Sequence, residues 1–219
     1  FNPGKFISLD YILEDFDTII IKDVFEINLK SDSINLISIN AYENFAKTVD
    51  YQIHNKTLTL SNNSKCNWLN PQTNKISINI SYKEIDLITI DKSCIIRTIN
   101  PIKTDKFGMI LKDKIQDIDI EVDTDHFYFW NYSPCGGEIK ISGRTNLFMF
   151  WSTALLRVDA LKLNSDIVFA ETKSRADSYI KANKEIHCKI KHIGNVYYVG
   201  NPGLINFELE GEGSLIKID

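Results

Sequence analysis

Arginine is scarce in this sequence: only Arg97, Arg144, Arg157 and Arg175 occur in 219 residues, and the net charge is −4. No basic cluster stands out, and the lysines between 184 and 191 alternate with apolar residues. A nucleic-acid binder carries a basic face or stripe, so that class is set aside. No run of about 18 apolar residues occurs, so no membrane-spanning helix is expected. The sequence has no G-x-S-x-G elbow, no H-E-x-x-H and no phosphate-binding G-x-x-x-x-G-K-[ST]. No cofactor is expected. The four cysteines, Cys66, Cys94, Cys135 and Cys188, are scattered and form no C-x-x-C pair. Spacing does not assign disulfides among them, and most are expected to act as small buried hydrophobes. The chain opens on Phe1 rather than Met, which fits a processed or truncated N-terminus. Any membrane attachment is expected to come through that missing segment.

What the sequence does have is strand-forming material. Ile, Val, Phe, Tyr and Thr are abundant and suit a pleated, half-buried surface. Asn and Asp fall between the apolar runs, where they bond their own backbone in turns. Short alternating runs appear at 18–21, 24–29, 34–39 and 56–60, and then from residue 75 onward at roughly ten-residue spacing to 204–209. Regular short strands of this kind suit a sandwich, a barrel or a solenoid, and periodicity does not choose among them. Residues 41–49 have some helical character. The chain reads as one all-β domain over 1–219, with a loop excursion over 61–74.

Three constellations could carry function. Asp117, Asp119, Glu121, Asp123 and Asp125 occupy alternate positions of one run, so on a strand they share a face. They could contribute to a Ca²⁺ site, supply paired carboxylates for glycoside chemistry, or form a solvated outer face. Neighbours on that face lie ~7 Å apart along the strand, too far to share one ion unaided. The second is aromatic: His126-Phe127-Tyr128-Phe129-Trp130-Asn131-Tyr132, followed by Leu147-Phe148-Met149-Phe150-Trp151. On a strand Phe127 and Phe129 face one way and Tyr128, Trp130 and Tyr132 the other. Tyr128, Trp130, Tyr132, Phe148 and Trp151 are therefore the candidate binding platform for a surface glycan or protein, or a seam between copies; internal packing is the competing reading. The third, His187, Cys188 and His192, fails as a metal site because alternation sends His187 and Cys188 to opposite faces.

The C-terminal stretch Gly194-Asn195-Val196-Tyr197-Tyr198-Val199-Gly200-Asn201-Pro202, followed by Glu210-Gly211-Glu212-Gly213-Ser214-Leu215, resembles the signature of the auto-transporter adhesin, head GIN domain family of bacterial cell envelopes. Phe16-Asp17-Thr18-Ile19, Leu58-Thr59-Leu60 and Ile141-Ser142-Gly143 fit the same pattern. The resemblance implies a right-handed single-stranded β-helix, a β-solenoid with parallel sheets. It also implies an exported protein of the periplasm, outer membrane or cell surface. Gly194, Gly200 and Pro202 are expected to be structural turn residues. The expected role is a non-catalytic adhesin or surface-binding module. A polysaccharide lyase or hydrolase built on a β-helix, and a purely structural assembly protein, are the alternatives.

Overall fold

The computed structural model describes residues 3–63, 75–113, 115–131 and 134–219. The strands are, in chain order, β1 (Phe6–Ile12), β2 (Thr18–Ile21), β3 (Glu26–Ser31), β4 (Leu36–Tyr42), β5 (Val49–His54), β6 (Thr57–Asn62), β7 (Ser77–Tyr82), β8 (Leu87–Ile90), β9 (Ile95–Thr98), β10 (Ile102–Leu111), β11 (Ile115–Asn131), β12 (Gly136–Ser174), β13 (Ser178–Ile190), β14 (Val196–Val199), β15 (Leu204–Leu209) and β16 (Leu215–Lys217). Between β4 and β5 lies a single helical turn, α1 (Glu43–Ala46); this is all that forms of the helical character read over 41–49. Apart from 61–63, the excursion expected over 61–74 lies outside the described residues, and Ser61 and Asn62 simply finish β6.

The chain is a β-solenoid of about six coils, and its strands form two walls. The first wall runs β1-β4-β7-β3-β9 and continues into the first half of β11; the second runs β5-β6-β2-β8-β10 and continues into the second half of β11. β12 and β13 extend both walls, which end at β16 and β15 respectively. Pairing is parallel except for β1–β4, β4–β7 and β5–β6, all near the N-terminal end.

Alternation explains how one continuous strand serves both walls. Along β11 the buried residues are Gln116, Ile118, Ile120, Val122 and Thr124, and then Phe127, Phe129 and Asn131. The phase slips at Asp125 and His126, which both face outward. A two-residue outward step turns the corner and keeps the apolar set inside on both sides. The inner corner is tied by hydroxyls: Thr124 Oγ1 lies 3.2 Å from Thr145 Oγ1, one coil on.

In-register stacking lines up like side chains. Phe107, Phe127 and Phe148 stack at centroid spacings of 5.7 and 5.5 Å, and Phe129 stacks on Phe150 at 5.4 Å. All five are completely buried. Burying each stabilises the fold by about 1.5–3 kcal/mol before the cost of ordering the chain. Gly200 has φ +106°, and a Cβ there would lie 2.2 Å from the Ala182 carbonyl oxygen. The turn after β14 therefore favours glycine at this position.

Candidate binding surface

The outward positions of the second wall gather the aromatic residues. Tyr128 and Trp130 point out of β11 and stack on each other, at 5.2 Å and 19°. Tyr128 lies over β10 at Gly108, where a Cβ would come within 2.2 Å of its ring; Gly108 makes room for the phenol. Lys106 Nζ approaches the same ring at 5.4 Å. Trp130 sits opposite Trp151 of the next coil, with their rings crossing edge to face at 6.1 Å and 81°. The structure therefore unites Tyr128, Trp130 and Trp151.

It corrects the platform at Phe148. This residue is completely buried and stacks on Phe127 at 2°. The corner slip between Thr145 and Phe148 puts it on the inner phase while Trp151 takes the outer one. Tyr132 lies outside the described residues.

Two aromatic residues missed from the sequence extend the strip. Phe169 and His187, opposite each other on β12 and β13, stack at 4.2 Å and 4°. His187 Nε2 lies 3.0 Å from a Glu185 carboxylate oxygen, and its Nδ1 lies 3.1 Å from Asn206 Nδ2. Trp151, Phe169, His187, Glu171, Lys189 and Asn206 contribute to the lining of a hollow of about 730 Å³. Lys191 pairs with Glu171, while Lys189 bridges Glu208 and Glu210 at 2.9 and 2.7 Å. These contacts, first Glu210 and then Glu208, raise the Lys189 pKa, and Lys189 in turn holds Glu210 below the usual carboxylate range. The sequence did carry a signal for this strip: Trp130 and Trp151 are one coil apart, and the same spacing leads on toward Phe169 and Glu171.

The acidic row on β11 does not form an ion site. Asp117 pairs with Arg97 at 2.9 Å, Asp123 pairs with Arg144, and Asp125 accepts a hydrogen bond from Asn146 Nδ2 at 2.8 Å. Asp119 stands opposite Lys140 on one side and Arg97 on the other, and Glu121 opposite Ser142. Stacking supplies several of these carboxylates with a cation or amide from an adjacent coil, and no group of three potential ligands converges among the described residues. Cys188 points inward and His187 outward, and His192 Nδ1 accepts its hydrogen bond from the Ile193 backbone N–H at 2.8 Å.

A second, polar groove of about 700 Å³ follows the corner, lined by Lys103, Asp105, Asp123, Asp125, Arg144 and Asp166 among others. Folding thus brings arginine to the acidic row, which linear sequence did not reveal. Hydrogen bonding from Arg144 holds the Asp123 carboxyl below its ordinary range, and Lys184 does the same to Asp166. A glycosidase's general acid needs the opposite displacement.

A family model described as "Putative auto-transporter adhesin, head GIN domain" matches residues 15–202. None of the curated proteins matches the sequence. Among solved structures, a protein described as a putative adhesin from Bacteroides fragilis superposes with a TM-score of 0.86 at 18% identity, covering 98% of this chain and 97% of that one. A putative adhesin from Parabacteroides distasonis gives 0.70 at 12%, covering 98% of both chains. A protein from the same organism described as a putative lipid binding protein gives 0.72 at 16%, covering 99% and 98%. At these identities the likeness speaks for the fold alone.

Proposed function

The chain belongs to the auto-transporter adhesin, head GIN domain family, and from that premise we propose that it is a non-catalytic surface-binding module that works outside the cytoplasm. In this reading the outer aromatic strip of the second wall is its contact face. One observation carries it: Trp151 is 39% exposed and meets Trp130 only edge to face, beside a hollow of about 730 Å³. Large rings on an open, concave surface are uncommon in monomers and mark contact sites. The first wall carries ion pairs and amides such as Arg97–Asp117 and Asn28–Asn79 on its outside, and a single described aromatic stack, Tyr179 on Tyr197, whose face is taken up by Arg157. No helix among the described residues is long and apolar enough to cross a membrane.

One structural relative is described as lipid-binding. Here the fully buried phenylalanine stacks fill the space between the central coils, so a lipid would have to lie on the outside. The charged groups around the Trp151 hollow disfavour an acyl chain there.

The test is retention of the labelled chain on immobilised Bacteroides fragilis cell envelopes and on immobilised mucin. Trp151→Ala and Tyr128→Ala should each reduce retention, while Lys140→Ala on the first wall should not. Retention that is absent, or that all three variants preserve, would sink the proposal.

A further inference from the structure

Resting on the binding-module reading, we infer that the hollow beside Trp151 takes an uncharged carbohydrate. The first argument is shape. Tyr128 and Trp130 spend ring faces on each other, as do Phe169 and His187. Trp151 meets Trp130 at 81° and, among the described residues, has no ring stacked on its face. A flat, open indole suits the apolar C–H face of a pyranose ring, because a large apolar body there does not need to be desolvated on both sides.

The second argument is charge. The one lysine in the described lining, Lys189, is already engaged by Glu208 and Glu210, and Lys191 beside it by Glu171. Among the described lining residues no unpaired lysine or arginine is left to meet a sulfate, phosphate or uronate, and the carboxylates there repel them. The ion pairs nevertheless retain lone pairs that can accept from hydroxyl groups, and Glu185 and Asn206 add acceptors beside His187. The described lining therefore presents an open aromatic face at Trp151, many hydrogen-bond acceptors and no unpaired lysine or arginine. An uncharged polyol ring satisfies all three. A lipid surface would strip water from the charged rim, and an acidic peptide would find no partner.

The third argument is spacing. Adjacent coils are ~4.8 Å apart, close to the length of one sugar unit in an extended chain. A linear glycan running from Trp151 across the next coil of β12, then β13 and β15, would meet an outward side chain at each unit: Trp151, then Phe169 or Glu171, then His187 or Lys189, then Asn206 or Glu208. Binding should strengthen from one sugar unit to about four and then level off.

The test is a printed array of neutral, acidic and amino oligosaccharides of one to six units, probed with the full chain. Neutral oligosaccharides should bind, with affinity rising to about four units. Trp151→Ala should weaken binding about tenfold, the loss of roughly one stacked ring, with an unchanged melting temperature. Trp151→Tyr should recover part of it. Binding confined to acidic or amino sugars, full binding by Trp151→Ala, or no binding at all would overturn the inference. Its failure is separable from that of the parent reading. If the array stays blank while the chain still adheres to envelopes or mucin oxidised with periodate, and Trp151→Ala abolishes that adhesion, the module binds something other than sugar.

Discussion

At its N-terminal end the solenoid reverses its strands. β4 runs antiparallel to both its neighbours, β5 runs antiparallel to β6, α1 buries Phe45 and Ala46, and Tyr11 meets Tyr51 across the gap between the walls at 5.2 Å. Toward the other end the strands stay parallel through β15 and β16. All six residues of β15 are exposed there, including Leu204, Ile205, Phe207 and Leu209. The difference teaches that a parallel stack regenerates its own open edge with every coil, and only a change of strand direction or a lid ends it. Stability should follow the same asymmetry.

The sharpest way to break this comparison is a pair of matched truncations. Phe45→Ala, in the sealed end, should cost about 3–5 kcal/mol. Phe207→Ala, which is 41% exposed, should cost about half of that or less. Equal losses in denaturant unfolding would mean that something covers β15 in solution.

Gly200→Val should cost about 1–3 kcal/mol through its forced backbone angle, and more if the Ala182 carbonyl cannot move aside. Thermal melting of that variant is the check, and an unshifted midpoint would contradict the turn's dependence on glycine.

Hydrogen exchange sharpens the contrast without mutation. Amides of β15 and β16 should exchange well before those of β11 and β12, and before those of β4. A protected β15 would show that the end is closed.

The smallest expected effect is electrostatic. Lys83 lowers the Asp15 pKa from 3.8, and Lys189 lowers the Glu210 pKa from 4.5. A carboxylate held low in the folded state contributes stability above its unfolded value and loses it as pH falls through the folded one. Both groups are exposed, so salt screens the gain. The melting temperature should fall slightly as pH drops below about 4.5, and less so in Lys189→Met.

Much of the fold was legible in alternation. The runs at 18–21, 24–29, 34–39, 56–60 and 204–209 all lie in or overlap strands of the structure. The length of β11 and β12 was not legible, because the alternating runs ending at Asp125 and beginning at His126 or Leu147 read as separate short strands, whereas paired outward residues step one continuous strand round a corner. The period was present but disguised. Phe127-Tyr128-Phe129-Trp130 and Phe148-Met149-Phe150-Trp151 are copies one coil apart, yet the flanking residues vary because only inward positions are constrained. That slip also explains the error at Phe148. Half the hollow was invisible, since Phe169 and His187 lie in different strands and become a pair only through stacking.

The three described cysteines give this architecture a built-in gauge. Cys94, Cys135 and Cys188 are free and buried, and loss of hydration pushes their pKa values up to about 12, 11 and 12. Thiols so reluctant to ionise are poor nucleophiles, so an oxidising compartment leaves them alone while the coils stay shut. Cys188 is covered on one side by β15, opposite Phe207. Each time that last strand lifts, its sulfur becomes open to a water-borne alkylating reagent, and the rate of labelling at that one atom would count the openings of the unsealed end.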